Sequence, residues 1–229
     1  MTNGWVDMKN TDMMLIMGGN PAENHPCGFK WPVEAKRTRN AKMIVVDPRF
    51  TRTAAVADLH CQIRAGSDIA FLGGVIRYAI ENNRIAKDYL INYTNAAFIV
   101  QKDFKMPADL DGVFSGFDAQ TQTYNKATWN YQGSGGGAKK DAVTNYALGS
   151  AAHPPSSGTP PAPPLPANVD FDLTLQNPNC VFQLLKKHYS RYTPEMVERI
   201  TGIPKDQFLK AADLYTSIRK DGDMKKAST

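Results

Sequence analysis

The chain has 229 residues, 42% of them hydrophobic and 21% charged, with a formal net charge of +5. That length supports one or two domains with a core of their own, and no apolar run reaches the ~20 residues of a membrane-spanning helix. The basic balance, pI about 9.0, suits an anionic ligand such as a nucleotide or pyrophosphate, whereas scattered basic residues without a recognisable motif argue against nucleic acid.

The N-terminal MTNGWVDMKN has no basic segment followed by an apolar one, so no signal peptide is expected in this chain. Asp12 to Met17 is a short apolar run halted by Gly18-Gly19-Asn20, which predicts a buried strand. Helical spacing follows from Pro26 to Arg39, with a start near Cys27 or Gly28 and Pro32 in the first turn or so, where proline is tolerated. Ala41 to Val46 is rich in β-branched residues and predicts a second strand, closed by Asp47-Pro48. Strand, glycine loop, helix and strand within about forty residues make a βαβ unit, parallel and right-handed by general rule.

A shorter version of the pattern comes next. Thr53 to Ala57 reads as a helical turn and His60 to Arg64 as a third strand. Ser67 is an expected N-cap, and Asp68 suits the positive end of the helix that runs from Ile69 to about Asn82. Ile69, Leu72, Ile76 and Ile80 fall on one face of that helix and are expected to be its core-facing side. Ala86 to Asn95 predicts another short helix, and Phe104 to Tyr131 is aromatic without a clean period.

Residues 132–168 contain GSGGG and PPSSGTPPAPPLP and predict a solvated or disordered loop. The remainder is helical: Val181 to Tyr189, then a helix opened by Thr193-Pro194-Glu195 and closed by Gly202, then one from Pro204 with Phe208, Ala211, Ala212 and Tyr215 on its buried face. The fold class expected is α/β, a Rossmann-like parallel sheet with flanking helices, plus a helical C-terminal part and a long Gly/Pro-rich loop. The expected boundaries are 1–131 for the sheet-bearing segment, 132–168 for the loop or insertion, and 169–229 for a helical segment packing on the same domain.

Cys27, Cys61 and Cys180 are far apart and form no CxxC pair, so neither an iron–sulfur cluster nor a zinc site is expected on them. Buried or half-buried free thiols are expected instead.

Three segments fall where a doubly wound sheet binds ligands, after its strands or at a helix start. The first is Gly18, Gly19, Asn20, Pro21, Ala22, Glu23 and Asn24, whose paired glycines let backbone approach a phosphate closely. It does not match GxGxxG, so a conventional nicotinamide site is not indicated. The second is Asp47, Pro48, Arg49, Phe50 and Thr51, with Arg52 following. A carboxylate at the end of the second strand can accept from ribose hydroxyls, and Arg49 and Arg52 can neutralise phosphate oxygens. The third is Gly66, Ser67 and Asp68, a fixed acceptor for the amino edge of a purine. Each has a plainer reading: a tight turn for Gly18-Gly19, a turn cap for Asp47 and a helix cap for Ser67-Asp68, surface ion pairs for the arginines. His25 has no histidine or cysteine at ligand spacing and reads as a structural hydrogen-bonding residue.

The runs MTNGWVDMKNTDMMLIMGGNPAENHPCGFKW, MIVVDPRFTRTAAVAD, IRAGSDIAFLGGVIRYAIENN and NPNCVFQLLKKHYSRYTPEMVERITGIPKDQFLKAADLY resemble the catalytic (alpha) subunit of respiratory formate dehydrogenases, in the molybdopterin oxidoreductase superfamily. The resemblance covers most of the chain, and VDPRFTRTAAVAD is its most specific part. It implies a bis-molybdopterin guanine dinucleotide cofactor around molybdenum or tungsten, one dinucleotide of which contacts the Gly18–Asn24 loop, the Asp47–Thr51 loop and the Gly66–Asp68 turn. It implies oxidation of formate to carbon dioxide, with two electrons leaving through the metal to iron–sulfur clusters, as in selenoproteins of anaerobic respiration. The implied partners are the remainder of the catalytic subunit, an iron–sulfur electron-transfer subunit and a membrane cytochrome subunit, and the implied location is the periplasm. In that family a selenocysteine or cysteine followed by histidine holds the metal upstream of the segment beginning here with Met1. A four-cysteine iron–sulfur motif lies further upstream, and the second dinucleotide site lies beyond the present C-terminus. The chain is therefore expected to be a fragment, inactive alone, with no catalytic or metal-ligating residue of its own. The alternative is a free-standing nucleotide-binding or interaction protein without catalysis.

Overall fold

The structure is a computed structural model describing residues 4–133, 169–218 and 228. The Gly/Pro-rich stretch expected at 132–168 lies outside the described residues from 134 onward. The chain divides into two compact units, Met1–Ala86 with His188–Thr229, and Lys87–Lys187. That division differs from boundaries at 131 and 169, and backbone pairing gives the reason. Residues 98–101 bond to both sides of the undescribed stretch: Ile99 N–H donates to the Asp170 carbonyl, Val181 N–H to Phe98, and Gln132 N–H to Ile99.

The first unit is built on three parallel strands, β1 (Met13–Met17), β2 (Lys42–Val46) and β3 (Leu59–Cys61), in the order β1-β2-β3. Met17 pairs with Val46 and Val46 with Cys61, so all three strands end at one edge. Alternation along each strand sends side chains to opposite faces. Met14, Met43 and Val45 pack with Phe29 and Ala35 of helix α2 (Pro26–Arg39), which follows a one-turn helix α1 (Pro21–Asn24). Met13, Ile44, Val46 and Cys61 pack on the other face with Phe71 and Val75 of α3 (Asp68–Glu81) and with Val197 and Phe208 from the C-terminal helices. Both faces of the sheet are covered, as parallel strands require. Pro32 lies inside α2 and is buried, later than the first turn, because the helix already begins at Pro26. Asn40 ends α2 in the left-handed region, φ 55°, a conformation asparagine tolerates.

The expected core face of α3 is corrected. Ile69 is 75% exposed, and Leu72 and Ile76 are exposed too, while Ala70, Phe71, Gly73, Gly74 and Val75 are buried. Both sides of the helix carry apolar residues at helical spacing, and size decides between them. An added Cβ on Gly73 would stand 2.8 Å from the Tyr192 ring, and one on Gly74 would stand 2.6 Å from both Phe208 Cζ and Val197 Cγ2. The glycine side admits close helix packing that the long aliphatic side does not.

Thr193 caps the next C-terminal helix of this unit (Pro194–Thr201), its Oγ1 accepting from Met196 N–H at 3.2 Å, and Gly202 ends it at φ 80°. The last helix (Lys205–Thr216) buries Phe208, Ala211 and Ala212 as expected, whereas Tyr215, expected on the same face, is only partly buried. The second unit holds α4 (Lys87–Tyr93), a hairpin of β4 (Phe117–Asp118) and β5 (Thr123–Tyr124), and most of α5 (Val181–Tyr189); the two helices just described are thus α6 and α7. No residue of α5 is buried. Ala96, Ala97 and Leu175 form the small core of this unit. All three cysteines are free; Cys61 and Cys180 are buried, but Cys27 is exposed at the outward start of α2, contrary to expectation. Burial pushes the Cys61 thiol up to about 11, leaving it protonated at neutral pH.

One ion pair ties α2 to the sheet. Asp58 takes Lys36 Nζ at 2.6 Å and the Met43 N–H at 2.8 Å. Burial would raise its pKa, but the Lys36 hydrogen bond and charge, the Met43 N–H and Lys42 together hold the carboxyl below 3.8. A folded-state pKa below the unfolded value favours folding above the unfolded carboxylate range, and this contribution is lost as pH falls through the folded value. Asp58→Asn is therefore expected to lower Tm at pH 7 and to matter progressively less below about pH 4. Thermal melts of both proteins between pH 3 and 7 check this; a constant Tm difference across the range would contradict it.

Candidate functional site

The common edge at which β1, β2 and β3 end defines the site. The ladder extends one residue past each join: Gly18 N–H donates to the Val46 carbonyl at 3.0 Å and Asp47 N–H to the Cys61 carbonyl at 3.2 Å. The loops that begin at Gly18, Asp47 and Gln62 therefore leave the sheet together, where open parallel sheets bind ligands. Gln62 Nε2 donates to the Pro48 carbonyl at 3.1 Å, linking the second and third loops.

The first two loops are stitched by Thr53, which is fully buried. Its Oγ1 donates to Asn20 Oδ1 at 2.9 Å and accepts from Ala22 N–H at 3.1 Å, and its N–H donates to Asn20 Oδ1 at 3.3 Å. Glu23 pairs with Arg52 at 3.1 Å in an exposed contact. Asn20, Ala22 and Glu23 thus brace the loop pair, Pro21 opens α1, and Asn24 Oδ1 accepts from His25 Nδ1 at 2.8 Å. Gly18 has φ +62°, a region glycine occupies without strain. Gly19 is not in that region, and a Cβ there would meet nothing closer than 3.9 Å. Nothing in the chain's own packing requires glycine at this position.

Asp47 is 6% exposed, and its Oδ1 accepts from Arg49 N–H at 2.7 Å in a tight turn that spans Pro48. An ionised carboxylate has about four lone-pair sites, so this turn leaves capacity on Oδ2. Thr51 Oγ1 accepts from Ala54 N–H at 3.2 Å and starts the following turn. Pro48, Arg49 and Phe50 are exposed. His60 Nε2 donates to the Asp47 carbonyl at 3.1 Å, and its ring meets Phe50 edge-on at 5.3 Å. The third segment differs in detail from expectation. Ser67 precedes α3, but its hydroxyl makes no cap bond; it donates to the Arg64 carbonyl at 2.6 Å. Gly66 turns the chain at φ +80°, and Asp68 is exposed in the first turn of α3.

A cluster around Trp5 was not foreseen. Trp5 stacks on His25, centroids 5.5 Å apart, and leans on Gly28, where an added Cβ would stand 2.5 Å from its ring. With Asn24, Pro26 and Cys27 they border a cavity of about 490 Å³. A lone glycine inside the predicted helix was the available signal, since it marks a close approach. Among the described residues, no group of three or more His, Cys, Asp or Glu side chains is placed to hold a metal ion.

The chain is 47% identical over 218 residues to the nitrate-inducible formate dehydrogenase major subunit of Escherichia coli (strain K12), covering 95% of this chain and 18% of that one. It is 47% identical over 214 residues to the formate dehydrogenase major subunit of Haemophilus influenzae, covering 93% and 17%. It is 40% identical over 220 residues to the formate dehydrogenase subunit alpha of Megalodesulfovibrio gigas, covering 96% and 18%. The chain thus spans less than a fifth of the length of these relatives. Acetylene hydratase from Pelobacter acetylenicus superposes with a TM-score of 0.44 at 16% identity, over 90% of this chain and 16% of that one, a likeness too slight to bear on fold or function. Residues 1–159 match the molybdopterin oxidoreductase family, and with this match and these relatives the chain belongs to that family.

Proposed function

We propose that this chain is the part of a formate dehydrogenase catalytic subunit that anchors one molybdopterin guanine dinucleotide, and that it is inactive in formate oxidation by itself. The observation that carries the reading is Gly19, a glycine without an internal reason, on a loop that leaves the same edge as Asp47. The space over Gly19 is a cradle that a side chain would fill and a pyrophosphate can use. The donor set fits the remaining parts of the group. Asp47 Oδ2 accepts from ribose hydroxyls, Arg49 supplies charge to phosphate oxygens, and the Gly66–Asp68 turn offers a carboxylate to the amino edge of guanine. Arg52, engaged by Glu23 at 3.1 Å, adds to the positive field of the loop. When bound, the cofactor supplies the two-electron chemistry through its metal, and these residues bind and orient it. The intact subunit would work with an iron–sulfur subunit and a membrane cytochrome subunit in the periplasm, as the relatives' family suggests.

GDP, the nucleotide half of the cofactor, is the probe. The 229-residue chain is expected to bind GDP and inorganic pyrophosphate by calorimetry. Asp47→Ala is expected to weaken GDP about tenfold or more, the loss typical of a charged hydrogen bond, and to leave pyrophosphate unchanged. Its penalty should disappear with 2′,3′-dideoxy-GDP, which has no ribose hydroxyls to lose. Absence of binding to both GDP and pyrophosphate would refute the dinucleotide reading.

A further inference from the structure

Phe50 is the most conspicuous side chain at the site edge. It is 70% exposed, although burying a phenylalanine is favourable. The loop that carries it is tied down at several points. Pro48 fixes its own φ, Asp47 Oδ1 holds the Arg49 N–H at 2.7 Å, and Gln62 holds the Pro48 carbonyl at 3.1 Å. The ring is braced as well: His60 meets it at 5.3 Å with an interplanar angle of 85°, and His60 is itself fixed by its bond to the Asp47 carbonyl. An exposed ring held this firmly, three residues after the carboxylate suited to a ribose, is a preorganised aromatic platform.

We propose that Phe50 is the stacking platform for the purine base of the bound dinucleotide. The inference rests on the reading of Asp47 as the ribose acceptor and adds the base-binding element to it. Base and ribose are joined by one glycosidic bond, so a group that takes the ribose at Asp47 leaves the base within a few ångströms of the same turn. Every base offers a π-face to an aromatic side chain, so Phe50 supplies affinity, and the choice of guanine falls to polar groups such as Asp68. The apolar ring is left bare in the chain because its partner is the ligand.

The test is calorimetry and thermal melting on the full 229-residue chain with GDP, 2′,3′-dideoxy-GDP and inorganic pyrophosphate. Phe50→Ala is expected to weaken GDP about tenfold, within the range typical of one lost base stack, and to weaken dideoxy-GDP equally. Pyrophosphate affinity and Tm should not change. Phe50→Trp should keep GDP affinity and add a fluorescence quench on GDP binding that the parent chain lacks. GDP affinity within twofold of the parent in Phe50→Ala overturns the platform and leaves the Asp47 reading standing. Equal weakening of GDP and pyrophosphate also overturns it, since the ring would then act on the loop and not on the base. A parent chain that binds pyrophosphate but gains nothing from the guanosine of GDP overturns it together with the ribose assignment.

Discussion

Truncating Phe208 to alanine is expected to remove about 3–5 kcal/mol from the stability of the sheet-bearing unit. The side chain is 1% exposed and belongs to the cluster that joins β1, β2, β3, α3, α6 and α7. Its ring meets Phe71 at 5.8 Å with an interplanar angle of 80°, an edge-to-face contact worth something beyond burial alone. Its Cζ also stands where a Cβ on Gly74 would lie 2.6 Å away, so no neighbouring side chain can swing in to fill the void from that side. Since folded domains are stable by only about 5–15 kcal/mol, this single change threatens the unit as a whole. Urea unfolding followed by far-UV circular dichroism measures it, and a loss under about 1 kcal/mol would mean the ring is not part of a close-packed core. Gly74→Ala supplies the matching test. It should cost less in the Phe208→Ala background than alone, because one of the two obstructing atoms has gone.

Gly19→Val should have the opposite signature, a large loss of binding with little change in stability. A Cβ added there meets nothing closer than 3.9 Å, and the backbone there is not left-handed. Losing a glycine also reduces the freedom of the unfolded chain, which leaves Tm unchanged or slightly raised. Pyrophosphate and GDP affinity are expected to fall at least about tenfold, because the branched side chain occupies the approach to the phosphates and removes backbone contacts that depend on closeness. Gly18→Val, at φ +62°, is the control for local strain and should destabilise the fold by roughly 1–2 kcal/mol. If Gly19→Val keeps full affinity, the first loop does not lie against a phosphate. If it lowers Tm as much as Gly18→Val, the glycine serves the fold.

The sheet was legible because its signals are local. Four of the five residues of β2 (Lys42–Val46) are β-branched or apolar, the strand ends at Asp47-Pro48 in the sequence, and the observed strand stops there. The glycine and proline punctuation around β1, α2 and α6 worked for the same reason. The buried side of α3 was not legible. Ile69, Leu72 and Ile76 outrank Ala70, Gly73 and Gly74 in hydrophobicity, and the outcome depended on how near Tyr192, Val197 and Phe208 come, which spacing along one helix does not contain. The extent of the second unit was hidden likewise, because the pairing of residues 98–101 with 131–132 and 170–181 is long-range and carries no short motif. At the site, the loop positions followed from strand ends, but the work of each residue did not. Ser67 donates to Arg64 where a cap was expected, and Thr53, outside the expected set, holds the first two loops together. Phe50 entered only as a member of the second loop, with no role of its own, since hydrophobicity gives no warning that a phenylalanine will stay 70% exposed.

The unit that holds the sheet is made from two stretches of chain, Met1–Ala86 and His188–Thr229, with the whole of Lys87–Lys187 between them. During synthesis, one face of the nascent sheet, bearing Met13, Ile44, Val46 and Cys61, emerges long before Val197 and Phe208 exist to cover it. At ribosomal rates of about 5–20 residues per second the delay is on the order of ten seconds, far longer than hydrophobic collapse takes. Through that interval α3 can cover only part of the face, and the area kept for Val197 and Phe208 stays open. Safe production of the chain therefore depends on translation speed and on chaperones that bind nascent apolar surface, and slowing elongation between codons 87 and 187 lengthens the hazard in direct proportion.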